Sequence, residues 1–410
     1  MRAGPCRWLT VGDGVSRVVF HPLGFRADGA EWIVGRRDAG SYVAVPDAGV
    51  RAIRALESGA TVRDTRARIR AETGQDLDVA GFVRTLAGLG MVASIDGRTQ
   101  PGPEPVASSL PRVTPRQVRW TLSPLLHGAL LALALCGVAV AVFRPAAVPR
   151  LGDLLWAEHG TVVLLTQAAL TWLLIFLHEL AHLLTARAAG VPGQIRLGTR
   201  LHFLVAQTEV SGIWLADRRT RLTVYLAGIV LDLAICGAGL TAMALWGGIP
   251  VLTVLVLAAL FGTASQLMVF MRTDLYFVLQ DLTGCRNMFG DAIGHLRFLA
   301  ARLVRRPARD PLAGLPGRER RALRWYAVLL VGGSGTALVL GVNILTQVTW
   351  PLLRRSLTAV VEPTDWVTAL DAATTIAVVG GLQCLWAWAW WRRHGPRVRR
   401  LLSRRRTPAL

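Results

Sequence analysis

Six apolar stretches, each near the ~20 residues a helix needs to cross a bilayer, dominate the chain. They are Leu122–Phe143, Thr161–Leu184, Thr223–Trp246, Val251–Met271, Trp325–Thr349 and Trp366–Trp391. A lipid-embedded backbone must satisfy its polar groups within the segment, so runs of this length predict a mainly α membrane protein with about six transmembrane helices. The 52% hydrophobic and 18% charged composition excludes a disordered chain, a disulfide miniprotein and an ordinary soluble enzyme. Trp120, Trp325, Trp350, Trp366, Trp388, Trp390 and Trp391 fall near the predicted interfaces, as aromatic belts do.

The net charge is +20, from 46 basic against 26 acidic residues, and with no lysine in the chain every basic residue is arginine. The arginines lie mainly between and after the apolar runs, where they act as topology signals and lipid-headgroup contacts rather than as a nucleic-acid surface. Arg187, Arg196, Arg200, Arg218, Arg219 and Arg221 mark the 186–222 loop. The 272–324 loop and the tail are richer still, the 144–160 and 350–365 segments hold two each, and the 247–250 turn holds none. This distribution predicts a multi-pass protein of the cytoplasmic membrane with both termini in the cytoplasm. Cys6, Cys136, Cys236, Cys285 and Cys384 form no CxxC pair, so no disulfide framework or zinc ribbon is expected. Met1–Asp13 lacks the apolar core of a signal peptide, and roughly the first 115 residues are expected to stay where they are made.

Residues 15–97 read as a small α+β domain, winged-helix-like in element order. Val15–Phe20 and Glu31–Val45 are strand-like, with Gly40 at a hairpin turn. Three short helices follow, starting at Asp47, Thr61 and Asp78, the first two ended by Gly59 and Gly74, and Met91–Ile95 closes the domain as a strand. Residues 98–117, rich in Pro and Ser, read as a linker to the 118–392 membrane domain, and 393–410 as a basic cytoplasmic tail.

The second apolar run contains LIFLHELAHLLTAR. His178 and His182, spaced i, i+4, project from one helix face as two metal ligands require, and Glu179 beside them can act as general base on an attacking water. Charged groups in a span cost about 2–3 kcal/mol each on insertion scales, so their presence points to a purpose. A catalytic zinc needs a third protein ligand. Asp274, at the end of the fourth run, falls at a depth similar to HELAH and is the preferred candidate. Asp232 reads as a hydrogen-bonded acid within the bundle, Asp281 as a loop-facing acid, and Arg272 as an interface anchor. His202 and Glu209 are either solvated or line a re-entrant hairpin.

HELAH inside a span, followed two spans later by an aspartate at a span end, resembles the site-2 protease group of intramembrane zinc metallopeptidases, most closely its peptide-processing branch. The stretches GIWLADRRTRLTVYLAG and MRTDLYFVLQDLTGCRNMF carry the likeness, with Tyr276, Leu279 and Asp281 fitting its pattern; Met268, Val269 and Leu275 replace its usual Asn, Pro and Gly. The resemblance covers roughly 160–300 and implies Zn²⁺ held by His178, His182 and Asp274, with Glu179 as the catalytic base. Residues 42–92, with the phrases IRALESGATV and FVRTLAGLGMV, resemble PqqD-like peptide-recognition domains. That likeness implies a leader or precursor peptide as partner, added as a strand at a sheet edge. The expected function is endoproteolysis of a precursor or membrane-associated peptide in the making of a ribosomally synthesised, modified peptide. The alternatives are a non-catalytic scaffold, export or immunity partner that binds such a peptide, and a membrane-released regulator whose first domain binds DNA. Gly332, Gly333, Gly335, Gly380 and Gly381 permit close helix contacts, within one chain or between chains.

Overall fold

The computed structural model describes residues 16–404 apart from 30, 201–202 and 286. The chain divides into two compact units. The first comprises the described residues up to 121 together with 183–195 and 208–224.

In this first unit the amino-terminal strands are β1 (Val18–Phe20), β2 (Gly24–Asp28), β3 (Glu31–Arg36) and β4 (Ser41–Pro46), followed by α1 (Asp47–Glu57), α2 (Val62–Thr73), α3 (Val79–Gly88), β5 (Val92–Ile95) and β6 (Arg98–Thr99). The strands form two antiparallel sheets, β1–β5–β6 and β2–β3–β4. The β3–β4 hairpin turns at Gly40, whose positive φ of 66° suits a residue without Cβ. Thr61 and Asp78 cap α2 and α3 by accepting from the Asp64 and Gly81 amides, at 3.2 and 2.8 Å. The helices and the longer strands fill a shared core of Val34, Ile53, Leu56, Val83, Leu86 and Met91, among others. Beneath it Arg36, only 3% exposed, donates to both carboxylate oxygens of Asp38, at 3.2 and 2.7 Å, and to the Gly90 carbonyl at 2.9 Å. The 98–117 stretch carries little regular structure after β6 and is tied at several points. The Val106 amide donates to the Asp38 carbonyl, the Ser109 amide to the Gly193 carbonyl, and the Arg187 guanidinium to the Val113 carbonyl.

The larger helices are α4 (Pro124–Phe143), α5 (Gly160–Ala188), α6 (Arg218–Trp246), α7 (Pro250–Ser265), α8 (Asp274–Thr283), α9 (Met288–Leu303), α10 (Gly317–Ile344), α11 (Trp350–Val361) and α12 (Trp366–Arg404). A β7–β8 hairpin (Gln194–Arg200, Phe203–Glu209) follows α5. A single π-turn at Leu345–Thr349 joins α10 to α11, giving one helical stretch from Gly317 to Val361. Among the described residues five helical stretches are long and apolar enough to cross a membrane: α4, α5, α6, α10–α11 and the Trp366–Arg392 part of α12. Their outer faces are apolar, with Leu131, Val138, Val331, Leu338 and Leu385 all exposed. Half of the apolar stretch of α6 is buried, the largest share of the five, which makes it the interior helix.

Six such helices were expected, and the fourth run differs. It is helical only over the 16 residues of α7, about 24 Å at 1.5 Å per residue, short of a ~30 Å hydrocarbon layer. The reason is local: beyond Ser265 the chain leaves the helix to make the turn that carries Asp274. Of the glycines singled out in the sequence, Gly333 sits in a close approach, where an added Cβ would lie 2.1 Å from the Leu267 carbonyl oxygen. Gly332, Gly335, Gly380 and Gly381 face open space.

Arg36→Ala leaves a buried carbonyl and a carboxylate without their donor. The expected cost is roughly 1–3 kcal/mol, read as faster hydrogen exchange in β3 and β4. The Arg36 hydrogen bond is also the main reason the Asp38 carboxyl sits below the usual carboxylate range. A carboxyl lowered on folding adds stability above its unfolded value of about 3.9, and that increment is lost as pH falls through the folded value. Pepsin sensitivity of β3–β4 in wild type should therefore rise as pH drops below about 4, an increment that Arg36→Ala lacks.

Candidate metal centre

The centre lies within the second unit, which comprises the described residues of 122–182, 196–207 and 225–404. Helix α5 begins at a carboxylate: Asp371 of α12 accepts from the Gly160 and Thr161 amides at 2.9 and 3.0 Å, satisfying two donors of the first turn. Five turns later the same helix presents His178 and His182, 8% and 5% exposed, with ring centroids 4.8 Å apart. Their i, i+4 spacing stacks them on one face.

The chain after α7 supplies the third group. Val269–Met271 form a tight 3₁₀ turn, and Arg272 takes a left-handed conformation (φ 54°) that reverses the chain into α8. Asp274 is the first residue of that helix. The turn rests on a core of Val269, Tyr276, Met288, Leu323 and Tyr326, and the Tyr326 hydroxyl donates to the Val269 carbonyl at 3.2 Å. Gln266 clamps it from the other side. Its Nε2 donates to Asp274 Oδ2 at 3.2 Å, its Oε1 accepts from the Asp274 amide at 3.1 Å, and its carbonyl accepts from the Thr273 hydroxyl at 2.8 Å.

Three ligand-type atoms converge. His178 Nε2 lies 3.0 Å from Asp274 Oδ2 and 3.1 Å from His182 Nε2, and His182 Nε2 lies 3.4 Å from Asp274 Oδ2. This is the group among the described residues whose donor set could hold a metal ion. On the far side of the ring, His178 Nδ1 meets Asp232 Oδ2 at 2.8 Å; a carboxylate only accepts, so Nδ1 donates and Nε2 is left facing the other two groups. Asp232 is 5% exposed, so the pair is buried within the bundle. Room for the ring comes from Gly228, one turn before Asp232 on α6: a Cβ there would lie 2.5 Å from His178 Cε1 and Nε2. A cavity of about 690 Å³ opens beside the cluster, lined by His178, Glu179 and Asp232 and otherwise mainly by apolar side chains of α5, α7 and α10.

Of the residues proposed from sequence, His178, His182 and Asp274 are thus together, and Glu179 lines the adjoining cavity. Asp281 lies on α8 outside the cluster, and Glu209 ends β8. His202 lies outside the described residues, as does Cys6, while Cys136, Cys236, Cys285 and Cys384 are free thiols. Sequence reasoning passed over Gln266 and Gly228. Each left a signal: Gln266 is the one carboxamide in the fourth apolar run, and Gly228 stands four residues before Asp232, on the same face of α6. Comparisons with protein-family models, curated proteins and solved structures gave no match.

Gly228→Ala should push His178 out of the cluster. The expected result is loss of bound divalent metal from purified protein, measured by plasma mass spectrometry. Gly341→Ala on the α10 wall of the cavity, where an added Cβ meets nothing within 4 Å, should retain it.

Proposed function

We propose that the chain is a membrane-embedded zinc endopeptidase acting on a precursor or membrane-associated peptide. The observation that carries the reading is the spacing of the three ligand-type atoms. Tetrahedral ligands about 2.0–2.1 Å from a zinc ion stand roughly 3.3 Å from one another. The separations here are 3.0, 3.1 and 3.4 Å. Two imidazoles and a carboxylate suit zinc, and three protein ligands leave a fourth position for the reaction. Asp232 provides the outer hydrogen bond that orients a ligating histidine.

In this reading His178, His182 and Asp274 would hold Zn²⁺, which supplies Lewis-acid activation of water and of the peptide carbonyl. Glu179 accepts a proton from the attacking water and delivers it to the leaving amine as the C–N bond breaks. Asp232 keeps His178 in one tautomer through both steps, and Gln266 keeps the Asp274 carboxylate from rotating away. The apolar cavity walls exclude bulk water from the reacting groups.

The five long apolar helices support placement in a bilayer, and the arginine-rich 186–222 and 272–324 loops support cytoplasmic termini. The amino-terminal unit is read as a PqqD-like module that gathers a leader or precursor peptide and so raises its effective concentration near the protease. A ribosomally made, modified peptide is the proposed product class. The non-catalytic scaffold draws its support from Met268, Val269 and Leu275, where the resembled protease branch carries Asn, Pro and Gly. Glu179 favours the enzyme, since a scaffold has no use for a base beside the ligands.

Purified wild type should carry about one zinc per chain, lost in His178→Ala and Asp274→Ala and kept in Asp281→Ala. Glu179→Gln should keep the metal while peptide cleavage falls by at least about a hundredfold. A wild type that takes up no zinc on reloading would overturn the protease reading and leave the scaffold.

A further inference from the structure

The cavity beside the cluster has an open stretch of wall on α10. Gly341 lines it, and an added Cβ there meets nothing within 4 Å. This glycine stands on the cavity side of its helix. Ala337, Leu340, Ile344 and Val348 line the same cavity at helical spacing, whereas Leu338, Val339 and Val342, further round the helix, are exposed. Two ties fix how α10 runs beside α7. A Cβ added at Gly333 would lie 2.1 Å from the Leu267 carbonyl oxygen, and Val348 shares a buried cluster with Val254. The ties are 15 residues apart on α10 and 13 on α7, in opposite chain directions, so the two helices run antiparallel. Gly341, eight residues from Gly333, then falls about two residues from Gly262, roughly 3 Å along the axis. Gly262 also lines the cavity, and a Cβ there would stand 3.5 Å from Asp232 Oδ2, the oxygen that holds His178. The open space at Gly341 therefore lies within one helical turn, about 5 Å, of the level of the cluster.

We propose that Gly341 is a specificity-determining residue: the space it leaves open takes a bulky apolar side chain of the substrate, within two residues of the bond that is cut. This rests on the endopeptidase reading and narrows its substrate class. The position follows from depth, since an extended peptide advances about 3.3 Å per residue and the offset from the cluster is less than two such steps. The chemistry follows from the walls. Ile175, Phe261 and Leu340 line the same cavity, so a phenylalanine or leucine side chain placed there exchanges water for an apolar surround. A side chain at position 341 would occupy that space, and a difference of one methylene in an apolar pocket already shifts discrimination about tenfold.

The test uses the full chain in detergent, zinc-loaded, against a peptide mixture from a proteome digest, with cleavage sites read by mass spectrometry. Wild type should favour a large apolar residue at one position within two residues of the cut. The best-cleaved peptide is resynthesised with phenylalanine, leucine or alanine at that position. Gly341→Leu should lower kcat/KM for the phenylalanine peptide by at least about tenfold and leave the alanine peptide within about twofold, with zinc content and melting temperature unchanged. Gly341→Ala should give a smaller fall in the same order, and it decides the matter if the leucine variant loses zinc or melts early. Gly335→Leu, on α10 outside the cavity lining and also facing open space, should cleave all three peptides as wild type does. Equal losses on all three peptides, no loss on any, or a wild type without a size preference within two residues of the cut would overturn the assignment. If wild type cleaves nothing in the mixture while holding zinc, the endopeptidase reading falls and this inference falls with it.

Discussion

The second unit is organised around a cluster of polar side chains that an apolar bundle would otherwise exclude. Two imidazoles and two carboxylates, from α5, α6 and the amino-terminus of α8, are joined through His178, which meets Asp232 on one side of its ring and Asp274 and His182 on the other. Buried ionisable groups are tolerated only when paired or bound to a cation. Each neighbouring element is shaped accordingly. Helix α6 places a glycine where the His178 ring must fit and an aspartate one turn later where that ring must be held. Helix α7 stops after 16 residues so that Gln266 and the following turn can bring Asp274 back to the histidines.

That turn explains the main difference between the chain as read and the chain as folded. Hydropathy alone makes Val251–Met271 one continuous span, because Leu267, Met268, Val269, Phe270 and Met271 are as apolar as the helix before them. No glycine or proline marks the break. What ends the helix is tertiary: the Tyr326 hydroxyl and the core around Met288 and Leu323 fix the turn, and a left-handed Arg272 completes it. Tyr326, Met288 and Leu323 lie far from the run in sequence, so its hydropathy could not register them.

Most of the amino-terminal elements were legible for the opposite reason, although the strand Gly24–Asp28 and the short strand Arg98–Thr99, which opens the stretch read as a linker, went unread. Their signals are local: Thr61 and Asp78 as caps, Gly40 and Gly74 at positive φ, and alternating or helical spacing of the core residues. The split into two sheets, and the role of Arg36 in tying β3 to the loop after α3, depend on long-range pairing that spacing does not reveal. At the candidate metal centre, the i, i+4 histidines were legible as a motif, and Asp274 from its position at the end of an apolar run. The partner of Asp232 was not, because a single aspartate in a span has the same sequence signature whether it bonds a ligand or another helix.

The proposed activity depends on which atoms surround the metal, and a zinc-edge X-ray absorption spectrum of the purified wild type reads them directly. Zinc held by His178, His182 and Asp274 predicts two imidazole nitrogens and oxygen neighbours, four light atoms in all, at about 2.0–2.1 Å. Cys236, one turn beyond Asp232 on α6, is the nearest thiol along that helix to the cluster. A sulfur shell near 2.3 Å, or six oxygens with no imidazole signature, would contradict the assignment of the site.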